Sequence, residues 1–163
     1  MKSRSTLALV LLFLFAAVIL SACGGGAATI DDLPVYPDAV ALQPGDDPVA
    51  DTLANNAEQD AALRSDLGVG GSVVQKAFRL PAGATWDQVK AFFDGELDSA
   101  GWESGLGGIA GGIAGDVLDS ANAGNELFQT AIWSKGKQNL TVIRTMDASN
   151  PDQPYLILSL ATN

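Results

Sequence analysis

Residues 85–101 spell out one helix with both ends marked, and that helix dictates what the rest of the chain can build. Thr85 stands at the N-cap and Gln88 three residues on, the spacing of a capping box. Val89, Phe93 and Leu97 then recur every four residues, with Trp86, Phe92 and Ala100 beside them. At 3.6 residues per turn these side chains share one apolar stripe, which must be buried. The helix is predicted to run to about Ala100, where Gly101 suits the left-handed position beyond a helix end.

The partner for that stripe is written in a different period. Ser72–Leu80 alternates, with Val74, Phe78 and Leu80 facing one way and Gln75 and Arg79 the other; Lys76 interrupts the pattern. Phe128–Ser134 and Leu140–Met146 read as two strands joined by a loop over 135–139. In Tyr155–Ala161, Leu156, Leu158 and Leu160 alternate with Tyr155, Ile157 and Ser159, and Pro151 and Pro154 bracket the turn before it. The order is strand, helix, strand, strand, strand. The expected fold class is therefore α+β: an antiparallel sheet of about four strands with one main helix packed on one face.

Other segments carry weaker signals. Ala39–Leu42 is a candidate short edge strand, and Pro44–Pro48 is a turn cluster. Val49–Ser65 is a candidate surface helix, with an ordered loop as the alternative; its stripe, Val49, Leu53, Ala57 and Ala61, is mostly alanine and would bury little. Residues 105–118 read GLGGIAGGIAGDVL, with Gly107, Gly111 and Gly115 on one side of a notional helix and Ile109 and Ile113 on another. The apolar run is too short to span a bilayer. It reads as a flexible loop or short helix on the domain, as a self-association or partner surface, or as a membrane contact. No Gly-Lys-Ser/Thr follows it, and Asp116 and Asp119 would repel phosphate, so a phosphate loop is excluded.

The chain opens differently. Lys2 and Arg4 precede Leu7–Leu20, which is almost wholly apolar, and Ser21-Ala22-Cys23 supplies small residues. That is the layout of a secretory signal peptide. Leu20-Ser21-Ala22-Cys23 resembles a bacterial lipobox. The resemblance implies cleavage before Cys23, lipidation of its thiol, and a mature protein anchored to the cell membrane through its N-terminal lipid and facing the extracytoplasmic side. Gly24–Gly26 fit a tether. Cys23 is the sole cysteine, so no internal disulfide can form.

The body also resembles a domain of uncharacterised small bacterial lipoproteins. Its marks are a Leu-Pro-x-Tyr-Pro lead-in, here Leu33–Pro37, and a Phe-Phe-x3-Leu-x3-Gly-Trp helix, here Phe92, Phe93, Leu97, Gly101 and Trp102. The resemblance implies a compact α+β domain with no catalytic residue to carry over. The expected organisation is a cleaved signal peptide over 1–22, a lipidated flexible tether over 23–33, and one domain over 34–163. Alanine-rich (49–66) and glycine-rich (104–126) insertions depart from the family pattern.

Charge and residue types narrow the chemistry. Beyond residue 22 there are seven basic and nineteen acidic side chains, a formal charge of −12. Nucleic acid needs a basic footprint that this chain lacks. There is no histidine, which removes the usual general base and the commonest metal ligand. Neither a Ser-His-Asp nor a Cys-His arrangement is possible. Carboxylates remain: Asp46, Asp47 and Asp51 near a turn, and Asp94, Glu96 and Asp98 on the helix, read as solvated charge with weak calcium binding as the alternative for the first group. No cofactor and no metal site are expected.

The residues singled out for ligand or partner contact are Trp133 with Lys135 and Lys137 at the hairpin, and Ile109 and Ile113 in the glycine-rich segment. Trp86 and Trp102 read as core margin. The expected function is a lipid-anchored accessory or binding module without catalysis, its ligand or envelope protein partner open. A self-associating or docking structural lipoprotein using the glycine-rich segment is the first alternative, and a carboxylate-only enzyme the second.

Overall fold

The computed structural model describes residues 26–68, 70–105, 117–118, 120–147 and 150–163. The signal segment, Cys23, Ile109 and Ile113 lie outside them. The described elements are a 3-10 turn (Ile30–Asp32), β1 (Val40–Ala41), α1 (Pro48–Leu67), β2 (Ser72–Arg79), α2 (Trp86–Ser99), β3 (Glu103–Ser104), β4 (Phe128–Lys135), β5 (Gln138–Asp147) and β6 (Asn150–Thr162).

The expectation of about four strands and one main helix is corrected on both counts. The sheet has six strands in the order β1-β2-β6-β5-β4-β3, each pair antiparallel, and a second long helix stands beside it. β1 falls within the candidate edge strand Ala39–Leu42 and the second helix covers the candidate Val49–Ser65, whereas β3 has no counterpart in the sequence reading; both short strands are two residues long. They arise from edge pairing, Val40 with Arg79 and Glu103 with Ser134, and so leave no alternating pattern to read. The loop read over 135–139 is also tighter. Lys135 pairs with Gln138, leaving a two-residue turn in which Gly136 takes φ +59°.

Alternation along the strands sorts the sheet into two faces. Leu156, Leu158 and Leu160 of β6, Leu140 and Val142 of β5, Trp133 of β4 and Phe78 of β2 share the first face, all essentially buried. Helix α2 lies over it, with Val89, Phe93 and Leu97 each at 0 % exposure. Thr85 Oγ1 accepts from the Gln88 N–H, and the Gln88 side chain accepts from the Thr85 N–H, so the helix starts where its capping box lies. Gly101 follows at φ +77°, a conformation that ends the helix at low cost. An aromatic relay ties the chain's lead-in to this core. Tyr36 meets Phe92 edge-on at 5.4 Å, Phe92 meets Phe93 at 5.1 Å, and Phe93 faces Trp133 at 6.1 Å.

Helix α1 packs on the other face, over Val73, Gln75 and Ala77 of β2, through Ala50, Leu53 and Ala57. Of its described residues only Ala50 is buried. Its ends do more than its stripe. Asp47 caps the N-terminus by accepting from the Val49 N–H at 2.9 Å, and Pro48 occupies the first turn. Arg64 pairs with Asp60 at 2.6 Å, and Gly68 closes the helix at φ +64°.

The sheet's outer edges are short or occupied. Beyond β3, the exposed edge of β4 is met by Gly105, whose N–H donates to the Ile132 carbonyl, and by the buried Asn122. Asn122 accepts from the Thr130 N–H and donates to the Thr130 carbonyl, reproducing a strand's pairing with one side chain. The lead-in is held the same way. Gln138 accepts from the Ala28 N–H and donates to the Ala28 carbonyl, each at 2.8 Å. Leu33 is core, so packing begins ahead of Pro34, within the segment read as tether.

Urea denaturation tests this division of labour. Phe93→Ala is expected to cost about 3–5 kcal/mol, and Leu63→Ala, on the exposed side of α1, less than about 0.5 kcal/mol. Gly71→Ala is expected to destabilise by about 1 kcal/mol or more. Gly71 has φ +89°, and an added Cβ would sit 2.6 Å from the Thr162 carbonyl oxygen. Equal stabilities for Phe93→Ala and Leu63→Ala would contradict the assignment of the core.

Candidate functional site

The inward face of β5 runs Leu140, Val142, Arg144. The first two are buried in the same cluster as the α2 stripe. The third reaches past it, to the loop that leads into the N-terminus of α2. Arg144 is only 9 % exposed. Its Nε donates to the Ala84 carbonyl at 3.0 Å, and its Nη1 to the Glu126 carbonyl at 3.2 Å and to Gln129 Oε1 at 3.0 Å. Nη2 donates to the Met146 sulfur at 3.4 Å, a weak acceptor. Four protons are thus placed on neutral acceptors. No carboxylate among the residues whose side chains are described lies within ion-pair distance.

A buried cation without a counter-charge is costly, commonly by several kcal/mol. Burial pulls the Arg144 guanidinium below its ordinary pKa, while the field of Glu126 acts in the opposite sense. An arginine nonetheless keeps its proton near neutral pH. The guanidinium lines an open cleft of about 640 Å³, together with Thr85, Trp86, Gln129, Met146 and Pro154. That size suits a small molecule. Asp87, Glu126 and Asp152 line the same cleft. The cleft therefore offers one cation held by the sheet, carboxylates around it, and apolar surface between.

A second polar cluster lies at the same end of the sheet, on its other face. Asp47, 6 % exposed, accepts from Arg79 Nη2 at 2.9 Å and from the Tyr155 hydroxyl at 3.3 Å as well as from the Val49 N–H. Burial would raise its carboxyl pKa. The Val49 N–H, the Arg79 guanidinium and the Tyr155 hydroxyl together outweigh that and hold it below its ordinary value. Arg79 and Tyr155 are register partners on β2 and β6, so this cluster fastens the start of α1 to two strands. Its groups are all engaged with one another, which is the chemistry of a staple.

The residues singled out from sequence fall elsewhere. Trp133 is 1 % exposed and packs towards Phe93, so its ring is part of the core. Lys135 and Lys137 are exposed at the hairpin, with Lys135 Nζ donating to the Ala100 carbonyl at 2.7 Å. Cys23, Ile109 and Ile113 lie outside the described residues. Trp86 and Trp102 are buried in the core cluster. Asp51 accepts from the Gly45 N–H, and Asp94 pairs with Lys90 at 2.8 Å. Among the described residues no group of three or more acidic, histidine or cysteine side chains gathers as metal ligands do. No described helix is long and apolar enough to cross a membrane.

Arg144 escaped the sequence reading although a signal for it existed. It shares strand parity with Leu140 and Val142, which places an arginine at a core position. Gln129 and Met146 carried no comparable signal, because their roles follow from pairing register. Comparison of the chain with family models, with curated proteins and with solved structures finds no match to any of them.

The Asp47 cluster predicts a pH dependence. A carboxylate whose folded pKa lies below its ordinary 3.8 contributes stability that is full above the unfolded value and lost as pH falls through the folded one. Wild type is expected to exceed Asp47→Asn in stability by a constant margin above about pH 5, and the margin is expected to shrink as pH falls below about 4. Denaturant midpoints measured across that range check this. A margin that stays flat down to about pH 3 would contradict it.

Proposed function

We propose that this chain is a lipid-anchored binding module on the extracytoplasmic side of the cell membrane, without catalytic activity, and that the Arg144 cleft is its ligand site. The anchor is supported by the basic start, the apolar run and the Leu20–Cys23 sequence. The charge of −12 beyond residue 22 argues against nucleic acid as a partner. Absence of histidine narrows the acid–base chemistry on offer.

One observation carries the binding reading: a buried guanidinium whose described partners are all neutral, set in a cleft of small-molecule size. A ligand carboxylate meeting Nη2 would add a contact ion pair that no described carboxylate makes, together with a charge-assisted hydrogen bond. Asp87, Glu126 and Asp152 would repel a purely anionic ligand but favour one with a cationic group at its other end. Trp86, Met146 and Pro154 offer apolar surface in between. The ligand class that fits is a small zwitterion of amino-acid or short-peptide size.

Calorimetric titration with free amino acids and dipeptides, each compared with its C-terminal amide, tests this. The acids are expected to bind more tightly than the amides. Arg144→Met is expected to weaken binding by about tenfold or more, the loss of one hydrogen bond to a charged group. Gln129→Ala, which leaves the guanidinium in place, is expected to weaken it less. Amides that bind as well as acids, or undiminished binding by a folded Arg144→Met protein, would contradict the reading.

A further inference from the structure

The clamp on Ala28 has a geometric consequence for the anchored protein. Gln138 grips Ala28 through both of its backbone groups, and Ile30 and Leu33 pack into the core behind it. Only residues 24–27 separate that clamp from Cys23. Five Cα–Cα steps reach at most about 18 Å. A lipid on Cys23 therefore holds the end of the sheet that carries Gln138 next to the bilayer.

That end has a composition of its own. The hairpin tip brings exposed Lys135 and Lys137 there, and the N–H of Asn163 donates to the Lys137 carbonyl. Helix α1 starts at Asp47 beside Arg79 and Tyr155, at the far end of the sheet, and finishes near Gly70, whose carbonyl accepts from Arg64. Its last turns thus lie at the hairpin end. They expose Leu63 at 58 % and Leu67 at 67 %, spaced four apart, so that both stand on one side of the helix. Together they form an exposed apolar pair on one face of the helix. Asp66 and Glu103 are exposed at this end as well. The end is therefore not a cationic patch, and its attraction to lipid comes from apolar contact, with lysine stems reaching to the headgroups.

We infer that the end of the domain formed by the Gly136 hairpin and the last turns of α1 rests on the phospholipid surface, with Leu63 and Leu67 as its apolar contacts. This rests on the reading that Cys23 carries the lipid. The Arg144 cleft then faces away from the membrane. Arg144 lies six residues along β5 from Gln138, about 20 Å farther out, at the opposite end of the sheet. The ligand arrives from the aqueous envelope and not from the bilayer.

Lysine footprinting tests the orientation. The chain from Cys23 onward, which holds every described element, is coupled through its sole cysteine to a maleimide-headgroup lipid in phosphatidylcholine vesicles. Acetylation of each lysine by a membrane-impermeant reagent is then followed by mass spectrometry, against the uncoupled protein. Lys137 is expected to react severalfold more slowly when coupled, and Lys90, on α2, at an unchanged rate. The Leu63→Asp, Leu67→Asp double variant alters only exposed positions and is expected to regain the faster rate at Lys137. Unchanged reactivity at Lys137, protection of Lys90 instead, or protection of Lys137 that persists in the double variant would overturn the inference. The lipid is attached chemically, so this outcome is independent of whether cells lipidate Cys23. The mass of the native protein answers that separately.

Discussion

The burial of Val89, Phe93 and Leu97 in one cluster with the inward-facing residues of β4, β5 and β6 is the interaction on which the remainder of the molecule depends. β6 lies inside the sheet, paired with β2 on one side and β5 on the other. Its Leu156, Leu158 and Leu160 form the floor beneath the helix. Each of these contacts joins residues far apart in the chain, so the core exists only once distant segments meet. What surrounds the core is held mostly by polar detail: Asp47 at the start of α1, Asn122 along the edge of β4, Gln138 on the lead-in. The apolar contacts set the architecture, and a few side chains with two-point hydrogen bonds decide where the peripheral segments attach.

Parts of the fold stood plainly in the sequence. Thr85 and Gln88 mark the start of α2, Gly101 marks its end, and the stripe between them is the buried one. The alternation in Leu156–Leu160 likewise points to the correct face. What was faint or missed shares a physical character: β1 and α1 stood only as the candidate segments Ala39–Leu42 and Val49–Ser65, and β3 was not read at all. β1 and β3 are made by hydrogen bonding to neighbours, which imposes no hydrophobic period on two residues. α1 buries almost nothing, so its evidence lay in Asp47, Pro48 and Gly68 more than in a stripe. Trp133 beside two lysines suggested a surface site. The indole instead points into the core, while Lys135, on the same face but at the strand end, and Lys137, in the turn, lie beyond the core and are exposed. Arg144 was legible by parity with Leu140 and Val142, but an isolated arginine in a strand attracts attention only once its neighbours prove to be buried.

Charge is distributed along the sheet in a way that gives its two ends different characters. At one end stand the two polar clusters, Asp47 with Arg79 and Tyr155 on one face and Arg144 on the other. The first is closed: each group named has an opposite or complementary partner. The second is open, because a cation is held by four neutral acceptors beside a cleft. At the other end, a glutamine fixes the lead-in and two leucines stand uncovered. If Cys23 carries the proposed lipid, the Arg144 cleft stands at the end of the sheet away from the attachment.

The claim that ties these observations together is that the working protein begins at Cys23 and is lipid-bound there. The intact mass of the protein isolated from the membrane fraction of its native cells tests this most directly. The account predicts a chain that lacks residues 1–22 and carries the added mass of a diacylglyceryl group, with or without an acyl group on the new amino terminus. A chain that retains Met1–Ala22, or one that begins at Cys23 with an unmodified thiol, would contradict it.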